Sequence, residues 1–186
     1  MIEILYIAAG YLMGSIPFGL IITRLAGLGD LRKIGSGNIG ATNAARVGGL
    51  KMFVLVTILD ALKAAAAFHL FGMYAGAAAV AGHCYPAWLK FKGGKGVASS
   101  AGFLGILNPA VLGACLAAFC VSLAITKYSS LSAFAAMPVA IAGAFYTGLQ
   151  AGWVTTGLAV MILWRERGNI KRLFDGTESK MNFKQK

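Results

Sequence analysis

The sequence predicts an all-α integral membrane protein with seven transmembrane helices, its N-terminus outside and its C-terminus cytoplasmic, and with Gly-rich cytoplasmic loops that carry its chemistry. Three observations predict it. Hydrophobic residues fill 58% of the 186 positions and charged residues only 12%, where an average soluble domain has roughly a quarter charged. Apolar runs recur along the whole chain with 25 glycines spread among them, and Gly is more frequent in membrane helices than in soluble ones. Lys and Arg, Lys63 apart, are confined to alternate connections between those runs and to the tail.

At about 20 apolar residues per span, helices are expected near residues 3–24, 50–71, 73–89, 97–109, 110–126, 131–147 and 149–165. The third and fourth are short. In the first, only Glu3 precedes the apolar stretch from Ile4 to Ile22, so the basic leader of a cleaved signal peptide is missing and the segment is expected to persist as a helix. Its GSIPFG, Gly14 to Gly19, puts Pro17 mid-span, which is tolerable where neighbouring helices cover the kink. Asp60 and Lys63 stand three residues apart inside the second. Intramembrane ions normally pair and face the bundle interior, and this pair is read as positioning the first two cytoplasmic loops.

The charges orient these spans. Of the 17 Lys and Arg residues, all but Lys63 fall in residues 24–51, residues 90–95, Lys127 and the tail from Arg165. Seven crossings gather those regions on one face and leave no basic residue in the connections around Gly72, Asn108 and Gly148. The positive-inside rule makes the rich face cytoplasmic. Six crossings would strand a basic cluster on the other face. The net charge of +11 is accordingly assigned to juxtamembrane residues beside anionic headgroups, and nucleic acid is not expected as a partner. Cys84, Cys115 and Cys120 show no paired extracellular spacing and are assigned to packing. With two His and six acidic residues scattered along the chain and no H-E-x-x-H or Cys/His cluster, neither a catalytic metal nor a cofactor is expected.

Residues 35–43 of the first loop, GSGNIGATN, contain a literal G-x-G-x-x-G. That dinucleotide fingerprint has meaning only between a strand and a helix of a soluble βαβ unit. Here the residues suit an isolated anion. Backbone N–H groups around Gly37, Asn38 and Gly40 can form a concave nest, and the start of a following helix adds its positive end. Ser36, Thr42 and Asn43 add donors, and Arg46 adds a bidentate fork. The plainer alternative is a tight turn between helices. In the second loop, GHCYPAWLKFKGGKGVASS, the GGKG has Gly96 after Lys95 and so fails the Walker spacing. Gly93, Gly94, Lys95 and Gly96 make either a second phosphate site or a headgroup anchor. His83 at the membrane boundary reads, alone, as an interfacial hydrogen-bonding residue. The tail WRERGNIKRLFDGTES is helical through Leu173 and, alone, is an ordinary charged juxtamembrane segment.

Taken in order, the three segments resemble a known family. Ser36 to Arg46 matches SGN-x-GATN-x-x-R, His83 with Pro86 and Phe91 to Gly96 matches H-x-x-P followed by FKGGKG, and Arg165 to Glu178 is close to RHR-x-N-I-x-RL-x-x-GTE. These are signatures of the integral-membrane acyl-phosphate:glycerol-3-phosphate acyltransferase family (PlsY) of bacterial phospholipid synthesis. GSIPFG and the Asp60/Lys63 pair also match, and the resemblance runs almost end to end, as a single transmembrane acyltransferase domain over residues 1–186.

The resemblance implies an enzyme of the cell inner membrane, multi-pass, with its active site facing the cytoplasm. It would transfer a fatty acyl group from acyl phosphate to the 1-hydroxyl of glycerol 3-phosphate, giving lysophosphatidic acid and inorganic phosphate, with membrane lipid as surroundings and no cofactor. Ser36, Arg46, Lys95, His83 and Asn169 carry over as catalytic, and Gly37, Asn38, Gly40, Thr42, Asn43, Gly93, Gly94 and Gly96 as phosphate-binding. A cleft between the third and fourth helices would leave the acyl chain in lipid. The chain departs from the pattern at Glu166, where the family usually has His. Three proton acceptors stand open: His83, Glu166, which Arg165 and Arg167 flank and so weaken as a base, and the substrate phosphate, which is preferred. A transporter or channel for phosphate or glycerol 3-phosphate competes, since Gly-broken helices can hold an anion at the midplane. Against it stand the lack of an internal repeat and the crowding of polar residues on one face. A scaffold recruiting soluble enzymes through basic loops would explain the charges but not the Gly/Asn patterns.

Overall fold

Apolar side chains at nearly every position leave the backbone to satisfy its own hydrogen bonds, which a helix does within one segment. The computed structural model describes residues 1–181, and among them there are α-helices and short 3-10 turns and no strand. Lys184 and Lys186 of the basic tail lie outside the described residues. The helices are α1 (Ile2–Gly14), α2 (Phe18–Leu25), α3 (Ala41–Phe71), α4 (Met73–Cys84), α5 (Val97–Leu107), α6 (Pro109–Thr126), α7 (Ser129–Thr147) and α8 (Leu149–Phe174). The described residues fall into two compact units, Met1–Phe103 and Leu104–Met181.

In the first unit α1 lies against α4 and α3, and α2 against α3. Small residues set the approach. A Cβ at Gly10 would collide with the Ala75 carbonyl and one at Gly14 with that of Ala79, so Gly-xxx-Gly on α1 faces Ala-xxx-Ala on α4. The expected first helix is broken at Ser15–Pro17, because Pro17 has no N–H to continue the ladder. Side chains from elsewhere take up the carbonyls of the break: Trp88 Nε1 donates to Ser15 O at 2.8 Å and Lys63 Nζ to Ile16 O at 2.8 Å. At Gly19 the backbone of α2 meets the Ile39 carbonyl, too close for any side chain. Leu31 and Ile39 are buried in a core with Leu20, Ala44 and Val56, which pins the first loop. α3 begins nine residues before its expected start and carries a break at Gly49, whose φ of 62° suits glycine. α5 rests on α3 through Gly102, whose backbone abuts the Ala61 carbonyl, and through an edge-on Phe68–Phe103 contact at 5.2 Å.

The second unit pairs α6 with α7 and α7 with α8. Asn108 caps α6, its Oδ1 accepting from Ala110 N at 3.0 Å and Val111 N at 3.3 Å, with Pro109 at the first helical position. Lys127 ends α6 in the left-handed region at φ 64°. α8 runs past the expected residue 165 to Phe174, its charged end continuing the helix.

By length and composition, residues 2–25, 41–71, 109–126 and 129–147 can each cross a membrane. α4 and α5 have 12 and 11 residues, a rise of about 18 and 17 Å against a hydrocarbon core of about 30 Å. The third expected span is shorter than 73–89 because α4 ends at Cys84 and a separate 3-10 turn occupies Ala87–Leu89.

Candidate active site

The first loop is built around Asn43, fully inside it at 2% exposure. Its amide nitrogen donates to the carbonyls of Leu31 at 2.9 Å, Ile34 at 2.9 Å and Asn38 at 2.8 Å, and its Oδ1 accepts from Ser36 N at 3.2 Å. Asn38 Oδ1 accepts from Gly40 N at 2.8 Å, turning the chain into α3. Gly35 and Gly37 take φ of 54° and 69°, and a side chain at Gly35 would strike both Asn43 Oδ1 and the Arg46 guanidinium. Arg46 is thereby laid over the loop while staying exposed. Asn43 N and Ala44 N both donate to Gly40 O at 3.1 Å, so the amides of Ala41 and Thr42 precede the first helical donors of α3. Thr42 lies in the first turn of α3, at the positive end of the helix, where Ser36 N is held by Asn43 and the Arg46 guanidinium lies against Gly35. At the loop's entry Asp30 accepts from Arg24 Nη2 at 2.8 Å, Arg32 Nη2 at 2.6 Å and Arg32 N at 3.0 Å. The Arg32 and Arg24 guanidinium groups hold its carboxyl well below the usual carboxylate range, and Asp30 in turn raises the Arg32 guanidinium. A lowered carboxyl stabilises above its unfolded value, so this exposed anchor is lost only in strong acid.

The expected intramembrane pair is present and larger than expected. Lys63 Nζ lies 2.9 Å from Asp60 Oδ1 and 2.9 Å from His83 Nδ1, with all three residues at 5% exposure or less. His83 Nδ1 is itself 3.4 Å from Asp60 Oδ1. The second loop closes on the same histidine. Gly94 N donates to His83 O at 2.9 Å and Gly93 N to Cys84 O at 3.1 Å, satisfying the last carbonyls of α4. Those two amides were expected to face an anion; they are committed to α4. A side chain at Gly94 would run into His83 Nε2 and one at Gly93 into His83 O and Pro86, so the double glycine is required by close approach. The turn before it is tight: Lys90 and Phe91 both take positive φ, 53° and 60°. Lys95, half-buried, follows at once.

In the second unit Asn169 is buried, and its amide donates to Glu178 Oε1 at 2.5 Å. Glu178 Oε2 accepts from Arg172 Nε at 2.7 Å. Gly176 at φ 67° turns the chain so that Thr177 N and Glu178 N reach Arg172 O at 2.8 and 3.1 Å, folding the tail onto the end of α8. Glu178 had no role assigned from sequence. Glu166 is buried at 3% exposure, while Arg167 turns outward with its guanidinium 4.7 Å from the Trp164 ring centre. Among the described residues no three His, Cys, Asp or Glu side chains converge as metal ligands.

A multi-pass helical membrane protein whose polar residues gather in Gly-rich turns is the class defined so far. The family model described as glycerol-3-phosphate acyltransferase matches residues 4–176. The glycerol-3-phosphate acyltransferase of Sinorhizobium fredii is 48% identical over 192 residues, spanning 97% of this chain and 93% of that one. Two crystal structures of PlsY, an integral membrane glycerol 3-phosphate acyltransferase, also match. Its glycerol 3-phosphate form has a TM-score of 0.90 at 35% identity, covering 98% of this chain and 96% of that one. Its lysophosphatidic acid form has a TM-score of 0.88 at 33% identity, covering 98% and 97%. The chain belongs to the glycerol-3-phosphate acyltransferase family and is an integral membrane acyltransferase of phospholipid synthesis. The transporter reading finds no support among these relatives.

Proposed function

We propose that this chain transfers a fatty acyl group from acyl phosphate to the 1-hydroxyl of glycerol 3-phosphate, releasing inorganic phosphate and leaving lysophosphatidic acid in the membrane. The hydroxyl oxygen attacks the acyl carbon, the bond from that carbon to the phosphate oxygen breaks, and the hydroxyl proton passes to a substrate phosphate oxygen. An acyl phosphate is an activated anhydride, so no covalent enzyme intermediate is required. Holding the reactants together and placing fixed donors on developing charge supplies the acceleration.

The observation that carries this reading is the Asn43-built loop, which lays Arg46 against Gly35, next to Ser36 in sequence, at the start of α3. One phosphate lies there, held by Ser36, Thr42, Arg46 and the turn of Gly37, Asn38 and Gly40, with Asn43 holding the loop's shape. Lys95 serves the second phosphate or shares the first, with Gly93, Gly94 and Gly96, in a turn that closes on His83 through Gly93 and Gly94. Asn169 orients a substrate oxygen, with Glu178 fixing its amide. The whole chain acts as one transmembrane domain, in keeping with a family match that runs unbroken from 4 to 176. Seven crossings of the inner membrane, with the N-terminus outside, put the Gly-rich loops and the active site at the cytoplasmic face, supported by the confinement of Lys and Arg, Lys63 apart, to alternate connections and the tail.

The test is to supply purified protein with labelled glycerol 3-phosphate and either palmitoyl phosphate or palmitoyl-CoA. Lysophosphatidic acid with the acyl phosphate alone is expected. Product only with the thioester removes the donor assignment, and no product with either removes the reaction.

A further inference from the structure

The ammonium of Lys63 carries three hydrogens and has three close polar neighbours: Asp60 Oδ1 at 2.9 Å, the Ile16 carbonyl at 2.8 Å and His83 Nδ1 at 2.9 Å. An ammonium only donates, and neither a carboxylate nor a carbonyl oxygen can donate back. A neighbour that hydrogen-bonds to it must therefore accept. His83 Nδ1 presents a lone pair, and the ring's single proton lies on Nε2. A doubly protonated ring would aim an N–H at the ammonium. Lys63 Nζ, at 2.9 Å, is nearer the buried Asp60 carboxylate than His83 Nδ1 at 3.4 Å and is the better-placed counter-charge.

Nε2, at the far end of the ring, is packed against Gly94, where any side chain would collide with it. The groups facing His83 include Asp60 and Lys63 from α3, the Ile16 carbonyl by way of Lys63, Cys84 next along α4, and the Gly94–Lys95 turn. We infer that Lys63, anchored by Asp60 and the Ile16 carbonyl, is a positioning residue that fixes His83 as an Nε2–H donor beside the GGKG turn. His83 then acts by donating a hydrogen bond to a substrate oxygen and takes no proton from the attacking hydroxyl. One ring nitrogen is covered by an ammonium and the other is already protonated. The part that concerns substrate rests on the acyl-transfer reading above.

His69 is the other histidine and is exposed, so His69→Gln leaves a single imidazole to observe. Nitrogen NMR of ring-labelled His69→Gln protein in detergent at neutral pH should show one neutral ring with Nε2 protonated and Nδ1 accepting. An Nδ1–H tautomer or an imidazolium overturns the inference. Removing both charges together in Asp60→Asn/Lys63→Met should populate both tautomers and lower kcat by about 10²-fold, the scale for a misplaced donor, with KM for glycerol 3-phosphate little changed. An unchanged kcat in the folded double variant overturns the positioning role; if that variant does not fold, the His69→Gln spectrum decides. The two readings fail separately. Folded His69→Gln protein without turnover counts against acyl transfer, whereas normal turnover with an Nδ1–H ring overturns the assignment of His83 alone.

Discussion

Arg46 and Asn43 are three residues apart on the first turn of α3 and do different work, which substitution should separate. Asn43 is buried and holds three loop carbonyls, so Asn43→Ala takes the side-chain donor from Asn38 O and from Leu31 O and Ile34 O, which keep only the backbone donors Ile34 N and Gly37 N, at about 1–3 kcal/mol for a carbonyl left dry. A lowered Tm together with lost activity is expected. Arg46 is exposed and touches the loop only from outside, so Arg46→Lys should leave Tm where it is. It should lower kcat/KM by roughly 10- to 10²-fold, the equivalent of a charge-assisted hydrogen bond of about 1.5–3 kcal/mol that a Lys ammonium cannot make bidentate. Near wild-type kcat/KM in Arg46→Lys would make the loop a structural turn. Glu166, where the family usually has His, is buried on α8. With the proton going to substrate phosphate, Glu166→Gln should keep kcat within about tenfold, below the roughly 10²-fold loss typical of removing an acid–base group. A folded Glu166→Gln protein slowed several hundredfold would identify this carboxylate as the base.

Between elements, the seams made by small residues should be the least forgiving. Gly14 on α1 meets the Ala79 carbonyl of α4, while Gly113 on α6 has nothing near the position of a Cβ. Gly14→Val should destabilise by about 1–3 kcal/mol or more, as overpacking does, and Gly113→Ala should not; thermal unfolding in detergent followed by Trp fluorescence measures both. Equal Tm values for the two variants would mean that α1 and α4 are not sealed as described. The same contacts explain what sequence could and could not reveal. Span positions for α6, α7 and most of α3 follow from apolar length, interrupted in α3 only by Asp60 and Lys63, and Pro17 marks a kink that the structure shows as a break between α1 and α2. The helical residues 41–48 read as loop, because Gly40 and Asn38 make the turn earlier than hydropathy suggests and Gly48 and Gly49 resemble loop composition. In sequence GGKG reads as a phosphate site or a headgroup anchor; what makes its double glycine necessary, the His83 ring lying against Gly94, is a contact between positions 83 and 94 that no local pattern encodes. Asp60 and Lys63 could be paired by spacing; the third member, His83, is 20 residues from Lys63. Glu178 was visible only as a letter of the tail motif, since its role arises when Gly176 folds it back to Asn169.

At the scale of the whole molecule, the charge pattern and helix lengths pull in different directions, and topology is where they meet. Length and composition alone qualify four crossings, α8 not among them, and α4 and α5, at about 18 and 17 Å, fall short of a typical hydrocarbon core. An even count of crossings, however, would leave some of the clusters at Lys33, Lys92, Lys127 and Lys171 on the face that lacks basic residues everywhere else. Each Lys or Arg beside an anionic leaflet is worth about 1 kcal/mol, so several acting together outweigh the modest cost of local thinning around a short helix, a fraction of a kcal/mol per Å. The Arg167 guanidinium folded over Trp164 at the basic end of α8 is the side-chain arrangement found at a headgroup boundary. The proposed seven crossings can be counted by labelling. Cys84 and Cys115 are buried and Cys120 is exposed, so Cys120→Ala provides the background. On it, Lys92→Cys and Lys180→Cys should be shielded from an impermeant thiol reagent in intact cells and react once the membrane is opened. Gln150→Cys, exposed at the start of α8, should react from outside in both conditions. Labelling of Lys92→Cys in intact cells would place the GGKG turn on the outer face, away from any cytoplasmic glycerol 3-phosphate, and would overturn the orientation and the siting of the reaction together.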